Sequence, residues 1–183
     1  YGEDGILEKI FEVLNITCGN CVEFGAWDGK HLSNTYNLVA NKGWRGVLIE
    51  GSPEKFRDLL KTFAHRPDVI CLNAMVGFEA PQLLDNYIAK TGLPQDYDLL
   101  SIDVDGNDYH IFETVKAFKP KVVVVEFNPS IPNHLRFVQE KNMQVNHRSS
   151  AAAIVELGKS KGYELVCCTA INVIFADLRY FHL

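Results

Sequence analysis

Four consecutive valines, Val122, Val123, Val124 and Val125, constrain the fold of this chain more than any other feature. An unbroken β-branched run reads as a strand buried on both faces, and such strands belong to parallel sheets covered by helices on either side. The flanks agree. Ile111, Phe112, Val115 and Phe118 mark a helix before the run, capped by Asn107 or Asp108 and stopped by Pro120. A second helix follows from Ser149 or Ser150 to Lys161, ended by Gly162. The same alternation holds upstream. Ile6, Leu7, Ile10, Phe11 and Leu14 sit at helical spacing, and residues 21–24 form a short strand. Ser33 is placed to cap a helix carrying Leu38 and Val39, and residues 47–50 form the second strand. Ser52-Pro53 opens a helix with Phe56, Leu59, Leu60 and Phe63 on one stripe. Residues 69–73 are the third strand, Leu83 to Ile88 a helix region closed by Gly92, and residues 98–104 the fourth strand.

The last two strands, 163–169 and 172–177, have no helix between them, so they must be antiparallel neighbours. The reading is a Rossmann-like, doubly wound α/β sheet, mostly parallel, with a C-terminal antiparallel hairpin. That is the sheet of class I methyltransferases and not of a plain Rossmann dehydrogenase. At 183 residues the chain reads as a single domain, 1–183, with an aperiodic insert over 128–150. Its start at Tyr1 without methionine reads as a trimmed chain or a fragment.

Composition removes several classes of function. With 47% hydrophobic and 22% charged residues, the chain is neither disordered nor fibrous. A net charge of −5 argues against nucleic acid and anionic membrane as partners. No apolar run approaches a membrane span. The five cysteines include one CxxC, Cys18 and Cys21, without a second pair, which reads as reduced thiols in a cytoplasmic protein. The Asn15-Ile16-Thr17 sequon reads as chance.

In such a sheet, ligands bind at the carboxyl ends of the strands. The first strand ends Glu23-Phe24-Gly25-Ala26-Trp27-Asp28-Gly29. Gly25 and Gly29 permit a tight turn, and a carboxylate beside it suits an ammonium or sulfonium better than a pyrophosphate. Glu50, ending the second strand before Gly51-Ser52, can accept both hydroxyls of a ribose. Asn73 and Ala74, after the third strand, could flank an adenine. The fourth strand runs into Asp103, Asp105 and Asp108, a costly concentration of acid unless it faces ligand, metal or water. Strand alternation puts Asp103 and Asp105 on one side, and Glu126 and Asn128 on one side of the fifth strand's end.

Together these blocks resemble the FkbM-type S-adenosylmethionine-dependent methyltransferases. The resemblance rests on Tyr1-Gly2-Glu3-Asp4-Gly5-Ile6-Leu7, on the 23–29 block, and on His31-Leu32-Ser33-Asn34-Thr35. It continues through Ile49-Glu50-Gly51 and Leu100-Ser101-Ile102-Asp103-Val104-Asp105-Gly106. It implies a seven-stranded sheet and S-adenosylmethionine as cofactor. Gly25, Ala26 and Gly29 would approach its methionine part, Glu50 its ribose, and Asp103 the methyl-transfer centre. Glu23, Ser33, Asn34, Ser52, Asn73 and Ala74 complete the candidate cofactor residues. The implied acceptor is a hydroxyl of a small molecule or glycan, with the 128–150 insert on the acceptor side.

For a hydroxyl acceptor a proton must also be removed, and Asp103 and Asp105 are the candidate bases. His110 lies inside a helix, while His134 and His147 fall in the insert. The insert carries Arg136, Lys141 and Arg148 against Glu140, a net +2, which reads either as a lid for an anionic acceptor or as a solvated loop. Asp103, Glu126 and Asn128 are candidate ligands of a Mg²⁺ ion, with a metal-free polar site as the plainer expectation. Trp27 and Trp44 read as packing residues, with shaping of the cofactor turn as the alternative for Trp27. The competing readings are a non-catalytic S-adenosylmethionine-binding module and an NAD-dependent oxidoreductase; the missing GxGxxG and the terminal hairpin weigh against the latter.

Overall fold

The computed structural model describes residues 2–181. Tyr1, the first residue of the resemblance's opening block, lies outside them. The elements in chain order are α1 (Glu3–Val13), β1 (Asn20–Phe24), β2 (Arg45–Glu50), α2 (Pro53–Thr62), β3 (Ile70–Asn73), α3 (Leu84–Ile88), β4 (Leu99–Ile102), α4 (Asp108–Thr114), β5 (Val122–Glu126), α5 (Ala151–Ser160), β6 (Tyr163–Cys168) and β7 (Asn172–Asp177). They build a seven-stranded sheet in the order β3-β2-β1-β4-β5-β7-β6. Strands β1 to β5 are mutually parallel, and β7 runs antiparallel to both β5 and β6. The expected sheet and its hairpin are therefore present.

The valine run behaves as its composition demands. All four valines are fully buried between β4 and β7. Val123 and Val125 join the core on one face, with Leu100, Ile102, Ile111, Phe112 and Phe175. Val122 and Val124 join the other, with Leu7, Leu38, Trp44, Leu48 and Leu99. Period-two alternation thus feeds two cores from one apolar strand. Trp44 is the packing residue expected, buried with its ring 4.6 Å from Phe11.

Two segments depart from expectation. The region after Ser33 forms only a short π-helical turn, Asn37–Asn41, because residues 33–35 are tied to the end of β1 instead of entering a regular helix. Strand β4 stops at Ile102, short of the acids that follow it. Elsewhere the local signals hold: Ser52 caps α2 and Ser150 caps α5. The cysteines among the described residues are all free. No described helix is long and apolar enough to cross a membrane.

Helix α5 meets the hairpin through Gly158. A methyl group there would lie 2.6 Å from Phe175 Cε1 and 2.8 Å from its Cζ. Phe175 is fully buried and cannot withdraw. Overpacking costs about 1–3 kcal/mol, against a helix-propensity gain of about 1 kcal/mol for alanine over glycine. Gly158→Ala is therefore expected to lower stability by up to ~2 kcal/mol, read as a fall in urea midpoint at unchanged m value.

Candidate active site

Strand order reverses between β1 and β4, and that reversal opens a crevice at the carboxyl end of the sheet. A cavity of about 1220 Å³ fills it, running from Glu50, Met75 and Val76 at one end to Asp103, Glu126 and Asn172 at the other. Of the residues expected to bind a cofactor, Glu23, Gly25, Ala26, Ser33, Asn34, Glu50, Ser52 and Asp103 line it.

Gly25 has φ +85°, and a Cβ at this position would sit 1.7 Å from the Asp103 carbonyl oxygen. Its glycine requirement comes from the close approach of the β1 and β4 ends, which is closed by the Asp103 N–H donating to Phe24 O at 3.2 Å. Gly29 is turned away from the cavity: a Cβ there would meet Leu59 and Phe63 on the α2 side at 2.5 Å. Asn73 and Ala74 also lie off the cavity. Asn73 Nδ2 donates to Glu50 O at 2.7 Å, fastening β3 to β2, and Met75 and Val76 take the lining position instead.

Glu23 is buried and already engaged. It accepts from Ser33 Oγ at 2.5 Å, Thr35 Oγ1 at 2.8 Å and Asn34 N at 2.8 Å. Those partners make it the anchor of the 33–35 loop, where its spacing had suggested a partner for a cationic ligand. Burial outweighs these bonds and raises its pKa to about 7. Asp108 plays the same part at β4. It accepts from Val104 N and Gly106 N, both at 2.9 Å, and burial lifts it to about 7. The third acid of the β4 cluster is thus a turn anchor.

Glu50 is held by two backbone donors. Its Oε2 accepts from Trp27 N at 2.9 Å and its Oε1 from Ser52 N at 2.7 Å, leaving a lone pair on each oxygen. Trp27 is correspondingly no core residue. It is 44% exposed, sits at φ +50°, and lies under Lys55 Nζ at 3.8 Å.

At the other end, carboxylate oxygens of Asp103, Asp105 and Glu126 lie within 4.8 Å of one another. Strand alternation does not produce this, since β4 ends at Ile102; the left-handed Asp105 (φ +58°) curls the chain back. Glu126 is raised by burial and by the negative charges of Asp103 and Asp108, and Asp103 is raised chiefly by burial. Arg148 enters between them from the insert. Its guanidinium pairs with Asp105 Oδ1, and its Nε lies 2.6 Å from Glu126 Oε2.

The insert therefore presents no free basic lid. Arg136 pairs with Glu156 at 2.5 Å, and Lys141 Nζ lies 4.9 Å from the centre of the Phe78 ring. Asn128 does not join Asp103 and Glu126. Its Nδ2 donates to His147 O at 2.7 Å and its Oδ1 accepts from Ser130 N at 2.8 Å, so the amide braces the insert's two ends. The three residues named for Mg²⁺ thus do not converge, and Asp105 takes the third place in the carboxyl cluster. His110 is buried against the Gln139 carbonyl at 2.9 Å, while His134 and His147 are exposed.

Several lining residues were not among the expected cofactor, catalytic or metal residues, among them Glu3, Arg148, Asn107 and Asn172. Glu3 accepts from Thr169 Oγ1 at 2.6 Å and Asn172 Nδ2 at 3.0 Å, joining α1 to the hairpin. Asn107 Oδ1 and Asn172 Oδ1 are buried without a hydrogen-bond partner, an arrangement that suits a donor-bearing ligand. Arg148 was foreshadowed by chemistry alone: clustered buried carboxylates call for a cation, and the insert carries net positive charge.

Comparison with known proteins agrees with this architecture. Residues 81–165 match the methyltransferase FkbM domain. The resemblance read from the sequence is borne out over that stretch. No curated protein sequence matches the chain. Among solved structures, the chain is similar to a candidate sarcosine dimethylglycine methyltransferase from Galdieria sulphuraria, at 12% identity and TM-score 0.59, covering 90% of this chain and 62% of that one. The N-terminal domain of EvdMO1 with SAH bound aligns at 14% identity and TM-score 0.59, over 96% and 81% of the two chains. A Methanococcus jannaschii fibrillarin pre-rRNA processing protein aligns at 18% identity and TM-score 0.56, over 87% and 66%. The chain spans just under two thirds of the first and third of these. The shared fold is that of S-adenosylmethionine-dependent methyltransferases.

The anchoring role of Glu23 has a pH signature. A carboxyl whose folded pKa lies above its unfolded value lends stability below the unfolded value and loses it as pH rises through the folded one. For Glu23 the window runs from 4.5 to about 7. Glu23→Gln removes the charge while keeping an oxygen for Asn34 N and turning the Ser33 and Thr35 hydroxyls into acceptors of its amide N–H. Its unfolding free energy is expected to gain on wild type across that window by up to about 3 kcal/mol, measured by chemical denaturation at successive pH values.

Proposed function

We propose that the chain binds S-adenosylmethionine along the β2–β1–β4 crevice and transfers its methyl group to a hydroxyl of a small molecule or glycan, without a metal ion. The observation that carries this reading is the cavity. It joins a preoriented ribose-type carboxylate at one end to an acidic, partly unsatisfied wall at the other. The matched FkbM domain supports methyl transfer as the chemistry.

When bound, S-adenosylmethionine supplies an electrophilic methyl on a sulfonium. The residues of this chain do the rest. Glu50, its two oxygens fixed by Trp27 N and Ser52 N, accepts the ribose hydroxyls. Met75 and Val76 offer apolar surface next to it for the adenine. Asp103, beside the glycine turn, takes the proton from the acceptor oxygen, and its burial favours holding that proton. Asp105 is exposed and bound to Arg148, so it acts on Asp103 by its charge rather than as the base itself. Alignment of nucleophile, methyl and sulfur supplies the remaining rate.

A small acceptor is favoured over nucleic acid. The net charge of −5, and seven acids lining the cavity (Glu3, Asp4, Glu23, Glu50, Asp103, Asp105 and Glu126) against Lys30, Lys55 and Arg148, oppose a polyanion.

Calorimetry with S-adenosylhomocysteine and NAD tests the cofactor half. Binding of the first and not the second is expected, and Glu50→Ala should weaken it by about 1–3 kcal/mol through lost charged hydrogen bonds. Equal affinity in the variant would remove Glu50 from the ribose. The transfer half rests on Asp103→Asn. It should reduce turnover of an identified hydroxyl acceptor by ~10²–10⁴ while leaving S-adenosylhomocysteine affinity nearly intact. Wild-type turnover in that variant would exclude Asp103 as base.

A further inference from the structure

The geometry points to Arg148 as the resident cation of the carboxyl cluster between β4 and β5, filling the place where a divalent ion would otherwise sit. The inference concerns the same carboxylates as the proposed transfer but does not depend on S-adenosylmethionine binding.

Three carboxyl groups within 4.8 Å of one another would form an oxygen-rich site for a hard cation. In this chain the guanidinium reaches into that site and pairs with both Asp105 and Glu126. Glu126 is only 3% exposed, and neither its Oε2 nor Arg148 Nε has a hydrogen-bond partner despite their 2.6 Å separation. The contact is one of charge. A planar guanidinium set between carboxylates answers their repulsion as an ion would, with no need to strip water from a metal.

The arginine is delivered by a built scaffold. Its backbone is left-handed, φ +56°, and its N–H donates to Gln139 Oε1 at 2.8 Å. Gln139 is itself buried. Its Nε2 donates to Val145 O at 3.0 Å and its N–H to Ser149 Oγ at 3.2 Å, while its carbonyl faces His110 Nε2 at 2.9 Å. The insert can lie this close because residue 106 is glycine: a Cβ there would meet Val145 O at 2.7 Å and Asn146 Cα at 3.1 Å. Asn128, expected as the third ligand, is committed to His147 and Ser130. The segment thus places a positive charge on the acids and keeps the Asn128 amide engaged within itself.

Removing the arginine should leave a vacant oxygen site. Titration of the full chain with Mn²⁺, followed by electron paramagnetic resonance in the absence of cofactor, reads this directly. Wild type is expected to show no saturable binding at the cluster. Arg148→Gln and Arg148→Met, each checked for folding by circular dichroism, are expected to bind one ion, with Kd on the order of 0.1–1 mM, as weak oxygen sites do. Adding Asp105→Asn should abolish that binding, and Arg148→Lys should not gain it. The inference is overturned if wild type binds Mn²⁺ saturably and loses it with Asp105→Asn, a result that needs no arginine variant to fold. It is equally overturned if folded Gln or Met variants bind none. Failure of S-adenosylhomocysteine to bind the same samples would remove the proposed function and leave this result standing.

Discussion

The site depends on the contact between Gly25 and the Asp103 carbonyl. Two parallel strands end side by side, and the space that any side chain at 25 would need is taken by the neighbouring backbone. This contact lets the β1 turn fold over toward β2, where Gly25 N and Ala26 N both donate to Ile49 O. From there Trp27 N reaches Glu50. On the other side it fixes where Asp103 leaves β4. The two ends of the cavity are therefore positioned by one steric constraint at the point where strand order reverses.

The acids around this point divide by what surrounds them. Glu23 and Asp108 each spend both oxygens on hydrogen-bond donors within a few residues of a turn, and their burial makes them structural carboxyls. Asp103, Asp105 and Glu126 face one another and the cavity, with a single guanidinium to answer them. Acid count therefore says little about chemistry here.

The insert over 128–150 has almost no regular structure, yet it is not loosely attached. Asn128, Gln139, Ser149 and Ser150 each tie it down through side-chain bonds. Its positive charges are spent locally, on Glu156, on an aromatic ring and on the carboxyl cluster. Regular periodicity is not needed for order when buried polar side chains replace the backbone ladder.

The valine run, the helix caps at Ser52 and Ser150 and the terminal hairpin were legible because each is set by short-range physics: side-chain alternation, a local hydrogen bond, a connection too short to cross over. The places of Glu50 and Asp103 on the cavity wall were legible for the same reason, as strand ends are marked by local composition. The roles of Glu23, Gly29, Asn73 and Asn128 were not, because their side chains are claimed by partners or packing that local spacing does not reveal. The pairing of Arg148 with the acids was least visible of all. The arginine lies 43 residues from Asp105, in a segment without period, and only chain folding brings opposite charges together across that separation. Local pattern established the sheet and the ends of its strands; long-range packing and charge pairing decided which side chains at those ends remain free to act.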